Sequence, residues 1–136
     1  PGQSIICQKH AFLCATYGVE LSMFFQKKLG AGLVGGEGFI MQKVTGPGLV
    51  FLEVDGYCQD YDLAPGERLV CDTGVLAVMD ETCSMDVQMV KGVKNMIFGG
   101  EGLFDTVITG PGKVHLQTMT IGRLARQIIP YIPNKK

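Results

Sequence analysis

Gly30-Ala-Gly32-Leu-Val-Gly35 has the glycine spacing of a dinucleotide-binding loop, and Lys27 and Lys28 stand just before it as cations that could meet a phosphate. Such a loop works between a strand and a helix whose first amides hold the pyrophosphate. Here it leads into Gly36-Glu37-Gly38 and a strand-like stretch, and the matching stretch 64 residues on, Lys94 to Gly99, lacks the first two glycines. The loop is therefore assigned no cofactor.

Gly-Gly-Glu-Gly occurs twice, at 35–38 and 99–102. It could form an anion-binding nest, or offer Glu37 and Glu101 as paired carboxylates for acid–base work. Glycines this dense also make a bend before a strand, with the glutamate bonding to neighbouring amides, and that is the reading adopted. The two histidines fall short of the converging His and carboxylate set of a cupin-like metal barrel. His10 is assigned to a turn, and His115 to the outward face of a strand with Lys113 and Gln117. No Gly-x-Ser-x-Gly elbow is present, and no cysteine is assigned as a nucleophile. The expectation is a chain with no catalytic, cofactor-binding or metal-ligating residue, and no enzyme.

Cys7, Cys14, Cys58, Cys71 and Cys83 are odd in number and lack the two-residue spacing of zinc or redox pairs. They read as buried thiols of a reducing, cytoplasmic setting. Thr-Gly-Pro-Gly also occurs twice, at 45–48 and 109–112, and each tetrad predicts a type II turn closing a hairpin. The flanking strands are expected at 39–44 and 49–54, and again at 103–108 and 113–118.

These motifs recur because the chain repeats itself. A shift of 64 positions gives 14 identities over residues 1–54 without a gap, where average usage gives about 3 or 4. Val19, Leu21, Met23 and Phe25 alternate with mostly polar neighbours, as do Cys83, Met85, Val87 and Met89, so the odd-numbered face of each stretch is expected to be buried. The copies diverge after the second tetrad's strand. Tyr57 to Leu63 reads as a strand, whereas Thr120 caps a short helix with Ile121, Leu124 and Ile128 on one side and Arg123, Arg126 and Gln127 on another, ended by Pro130. That helix is expected to cover a sheet edge or to dock on another subunit. The Met residues, Met79, Met85 and Met89 among them, read as core filler.

The fold class expected is all-β: a β-sandwich or double-stranded β-helix-like roll from two tandem 64-residue repeats sharing one core, with a short C-terminal helix. The 136 residues form a single domain, with repeat 1 at 1–64, repeat 2 at 65–119, and the helix and tail at 120–136. With 46% hydrophobic and 18% charged residues the chain can bury a globular core. The net charge of −1 gives no basic field for nucleic acid. The longest apolar stretch, Leu29 to Met41, is 13 residues and interrupted by Gly and Glu37, which is short of the roughly 20 a spanning helix needs. Pro1 opens the chain without a charged n-region, so no signal peptide is read there.

The block 35–52, its second copy at 99–116, Pro65-Gly66-Glu67 and Asp72-Thr73-Gly74 together resemble the bacterial branch of the altered-inheritance-of-mitochondria family, named after a yeast mitochondrial biogenesis protein. The resemblance covers nearly the whole chain. It implies a double-stranded β-helix or sandwich like that of the trp RNA-binding attenuation protein, a trimeric or ring-like homo-oligomer, and a further related unit before Pro1. No site residue is carried over from it. The function expected is a non-enzymatic oligomeric interaction or assembly module. The alternatives are a small-ligand-binding β-barrel using the space between the halves, and RNA binding near Lys27, Lys28, Lys91 and Lys94.

Overall fold

A computed structural model describes residues 1–27, 38–90 and 104–133. The glycine motif 30–35, Lys28, Glu37, Lys91, Lys94 and Glu101 all lie outside the described residues. The first half supplies β1 (Ser4–Gln8), β2 (Phe12–Ala15), β3 (Glu20–Lys27), β4 (Phe39–Thr45), β5 (Val50–Leu52) and β6 (Cys58–Leu63). The second supplies β7 (Arg68–Asp72), β8 (Leu76–Asp80), β9 (Ser84–Met89), β10 (Phe104–Thr109), β11 (Gly112–Gln117) and the helix α1 (Ile121–Ile128). The chain is all-β with one short C-terminal α-helix, and its sheets are antiparallel.

The strands assort across the sequence repeat. One six-stranded sheet runs β3-β4-β1-β8-β11-β6, a three-stranded sheet runs β7-β10-β9, and β2 pairs with β5 alone. The triple β3-β4-β1 of the first half is thus continued by β8 and β11 of the second. The joint is the antiparallel pairing of β1 with β8, in register Ile5↔Asp80, Ile6↔Met79 and Cys7↔Val78.

Successive residues of a strand point to opposite faces, and here both faces of the central strands are covered. Ile6 of β1 and Met79 of β8 join Met41, Val87, Ile108 and Val114 in one apolar cluster. Cys7 of β1 and Val78 of β8 join Val44 in a second, against which Phe12 of β2 and Val50 and Leu52 of β5 pack. The one shared core expected from sequence is instead two, one on each side of the six-stranded sheet.

Three further expectations are corrected. The Thr-Gly-Pro-Gly tetrads do not close hairpins: β4 pairs with β1 and β3 while β5 pairs with β2, and β10 and β11 likewise lie in different sheets. Each tetrad hands the chain from one sheet to another. Both Gly-Pro bonds are cis. The glycines after them, Gly48 and Gly112, share φ +144°, and a Cβ there would strike Thr16 and Val19 in one copy and Thr82 and Cys83 in the other. The odd face of β3 is not buried, since Leu21 and Met23 are exposed, and in the second copy Cys83 and Val87 are buried as expected while Met89, expected in the core, is exposed. Gln117, expected to face outward with His115, is buried.

Met79 of β8 is wholly buried and sits opposite Ile6 on one side and Val114 on the other. Met79→Ala should therefore lower the unfolding free energy by about 2–5 kcal/mol, read as a lower urea midpoint at unchanged slope. Leu13→Ala on exposed β2 should stay within about 0.5 kcal/mol.

Candidate functional site

Two places among the described residues gather polar chemistry. The first is a cleft of about 400 Å³ between the halves, lined by residues that include Gln8, His10, Phe39, Asp72, Gln117 and Arg126. Its floor is organised by Gln117, whose Nε2 donates to the Gly74 carbonyl at 2.9 Å and to Gln8 Oε1 at 3.3 Å. Gln117 Oε1 accepts from the Asp55 amide at 2.9 Å. A buried amide whose donors and acceptor are all engaged is a structural clamp, and its burial follows from that satisfaction.

The same clamp sets the start of α1. Asp55 Oδ2 accepts from the Ile121 amide at 2.8 Å, and Thr120 Oγ1 accepts from the Arg123 amide at 3.3 Å. These carboxylate and hydroxyl oxygens serve first-turn amides that have no partner within the helix, and the negative charge suits the positive end of its dipole. Arg123 also lies 3.6 Å from Asp72. Thr120 is the cap expected from sequence, and the 3-10 turn Ile129–Tyr131 containing Pro130 follows the helix. None of the helix residues is buried, and Ile121, Leu124 and Ile128 are 67%, 38% and 48% exposed. Of the two roles expected for the stripe, covering a sheet edge of its own chain is not what the structure shows.

The second place is on β6 and β11. Cys58 and Asp60 share a face of β6, and His115 stands directly opposite Asp60 in the β6–β11 ladder. His115 Nδ1 lies 2.7 Å from Asp60 Oδ1, and the Cys58 thiol donates to that same oxygen at 3.5 Å. The His115 hydrogen bond holds the Asp60 carboxyl below its ordinary range. The Cys58 thiol is pushed up, first by desolvation and then by the hydrogen bond and charge of Asp60. It is thus held protonated, the opposite of an activated nucleophile.

Sequence reasoning passed over this trio because 55 residues separate Asp60 from His115. The only local signal was the Cys-x-Asp alternation on a strand facing another strand with a histidine. The remaining candidates are placed as follows. His10 sits in a 3-10 turn at the cleft, as a turn residue. Lys27, named for RNA binding, donates to the Val87 carbonyl at 2.7 Å. All five cysteines are free thiols, with Cys7 and Cys83 buried and Cys14 exposed, so burial holds for two of them. Burial pushes Cys7 up to about 11, and burial with Asp72 and Asp105 pushes Cys71 up to about 12.

A protein family described as Mitochondrial biogenesis AIM24 matches residues 1–119. Among solved structures, the crystal structure of protein SPYM3_0169 from Streptococcus pyogenes is similar, with a TM-score of 0.74 at 20% identity. The match covers 96% of this chain and 56% of that one, so the chain spans little more than half the length of that relative. No curated protein matches the chain. Among the described residues no helix is long and apolar enough to cross a membrane.

The thiol chemistry is measurable. At pH 8 exposed Cys14 should be alkylated first, Cys58 more slowly, and Cys7 and Cys71 only on unfolding, as followed by peptide mass spectrometry. Asp60→Asn removes the carboxylate charge that favours the thiol and leaves a weaker, neutral acceptor, lowers the Cys58 pKa, and should speed its alkylation severalfold while leaving Cys14 unchanged.

Proposed function

The chain belongs to the AIM24 family, described as mitochondrial biogenesis, and we propose that it is a non-enzymatic assembly module that builds a homo-oligomer through its terminal helix. The observation that carries this is α1 itself. An isolated eight-residue helix is marginal in water, and helices in proteins draw most of their stability from a packed apolar face. This one is tied at its N-terminus and lays Ile121, Leu124 and Ile128 bare, with exposed Ile129, Tyr131 and Ile132 continuing the patch. Contiguous exposed apolar surface of this kind marks a protein contact.

The partner proposed is a second copy of the chain, through β3. Leu21, Met23 and Phe24 form a second exposed apolar set there. A helix of one copy against β3 of the next is a heterologous contact, which closes into a ring or trimer when the rotation allows. A reducing, cytoplasmic setting is part of the proposal, supported by five unbridged cysteines.

In sedimentation velocity the wild type should run as an oligomer. Leu124→Asp with Ile128→Asp, and separately Met23→Asp, should run as monomers with unchanged far-UV circular dichroism. A wild-type monomer across the micromolar range would remove the proposal.

The cleft between the halves favours a second reading, a small-ligand site. Native mass spectrometry of protein purified gently from its host should then show a reproducible small-molecule adduct on each chain. Bare chains would end that reading.

A further inference from the structure

We propose that Cys58, Asp60 and His115 form a binding site for a divalent cation of the zinc class, with water completing the coordination. The donor atoms of the three side chains lie within 4.8 Å of one another. Thiolate, imidazole and carboxylate are the three ligand types zinc takes, and together they discriminate against magnesium and calcium, which prefer oxygen alone.

The strands hold the donors in place. Cys58 and Asp60 are two apart on β6, and the ladder pairs Asp60 with His115 within a register running from Gly112↔Leu63 to Gln117↔Cys58. The ladder is anchored by buried Leu63 and Val114. At the ladder's far end the Thr118 amide donates to the Tyr57 carbonyl at 3.1 Å, and the Tyr57 amide donates to Thr118 Oγ1 at 2.9 Å. The backbone carrying the three ligands is therefore fixed, while the side chains keep enough exposure to turn.

Both neighbours already lean on one oxygen, Asp60 Oδ1. Tetrahedral zinc with bonds of about 2.0–2.3 Å sets its ligands roughly 3.3–3.7 Å apart. The 2.7 Å contact between His115 and Asp60 must then open by about 0.6 Å, and the 3.5 Å contact between Cys58 and Asp60 already fits. On binding, the Cys58 thiol loses its proton to solvent and its sulfur lone pair goes to the metal. His115 binds through the Nδ1 lone pair with its proton on Nε2, and no redox change occurs. Three protein ligands leave one position open to water.

The site is not repeated. The positions 64 residues after Cys58 and Asp60 are Gly122 and Leu124 of α1, and the one 64 before His115 is Phe51. Two of the three ligands therefore stand on β6, where the halves diverge, and the third on β11, where the other half has Phe51.

The test is titration of the metal-free full chain with Co²⁺, reading the near-ultraviolet thiolate-to-cobalt charge-transfer band, followed by Zn²⁺ displacement. One Co²⁺ per chain is expected. Cys58→Ser should abolish the charge-transfer band, and His115→Asn should weaken binding at least about tenfold. Cys14→Ser, which removes the exposed thiol without a ligand neighbour, should leave the band intact. No band in the wild type at millimolar Co²⁺, a band that survives in Cys58→Ser, or one lost in Cys14→Ser would overturn the site. Far-UV circular dichroism confirms that each variant is folded, and these readouts are indifferent to oligomeric state.

Discussion

The pairing of β1 with β8 is the constraint on which the rest of the structure depends. Among the described residues it is the one ladder that joins the first triple of strands to strands of the second half, and its residues are buried on both faces. An interior strand with both faces covered must be apolar throughout rather than alternating, as Leu76-Ala77-Val78-Met79 is. Every backbone group of such a strand needs a ladder partner, because water is excluded. β1 and β11 supply those partners from opposite halves, and this ties the two repeats into one unit.

Joining the halves in this way leaves specific surfaces open. β3 and β6 become the edges of the six-stranded sheet, one carrying bare apolar residues and the other exposed acids. In the same step β6 is brought against β11, which sets Cys58 and Asp60 beside His115. The helix that replaces β6 at the corresponding place in the second half has no strand to pair with. It is held instead by Asp55, Thr120 and Asp72, and its apolar side is turned out. The open apolar side of α1 and the polar trio therefore both arise where the two copies diverge, after their fifth strand.

Local features were legible in the sequence. The positions of β3 to β6 and β9 to β11, the Thr120 cap and the strand-to-helix divergence follow from period and capping, which are set within a few residues, whereas β1, β2, β7 and β8 carried no such signal and the glycine-proline tetrads link sheets instead of closing hairpins. The pairing was not legible, because alternation tells which residues share a face and nothing about which strand lies next to it. Leu21 and Met23 of β3 carry the same pattern as Met85 and Val87 of β9, and only the second set finds cover within the chain. The trio was hidden for the same reason, since Asp60 and His115 are neighbours through β-pairing alone. Gln117 was misassigned to the surface because its burial depends on Gln8 and Gly74, neither of them near it in sequence.

The central claim is that α1 is completed by another copy of the chain. The most direct measurement is amide hydrogen exchange across 121–132 as a function of protein concentration, with the β8 amides as internal reference. Self-association predicts protection of the helix amides, such as that of Leu124, at high concentration and its loss on dilution, while β8 stays protected throughout. Rapid exchange of the helix at every concentration would contradict the account.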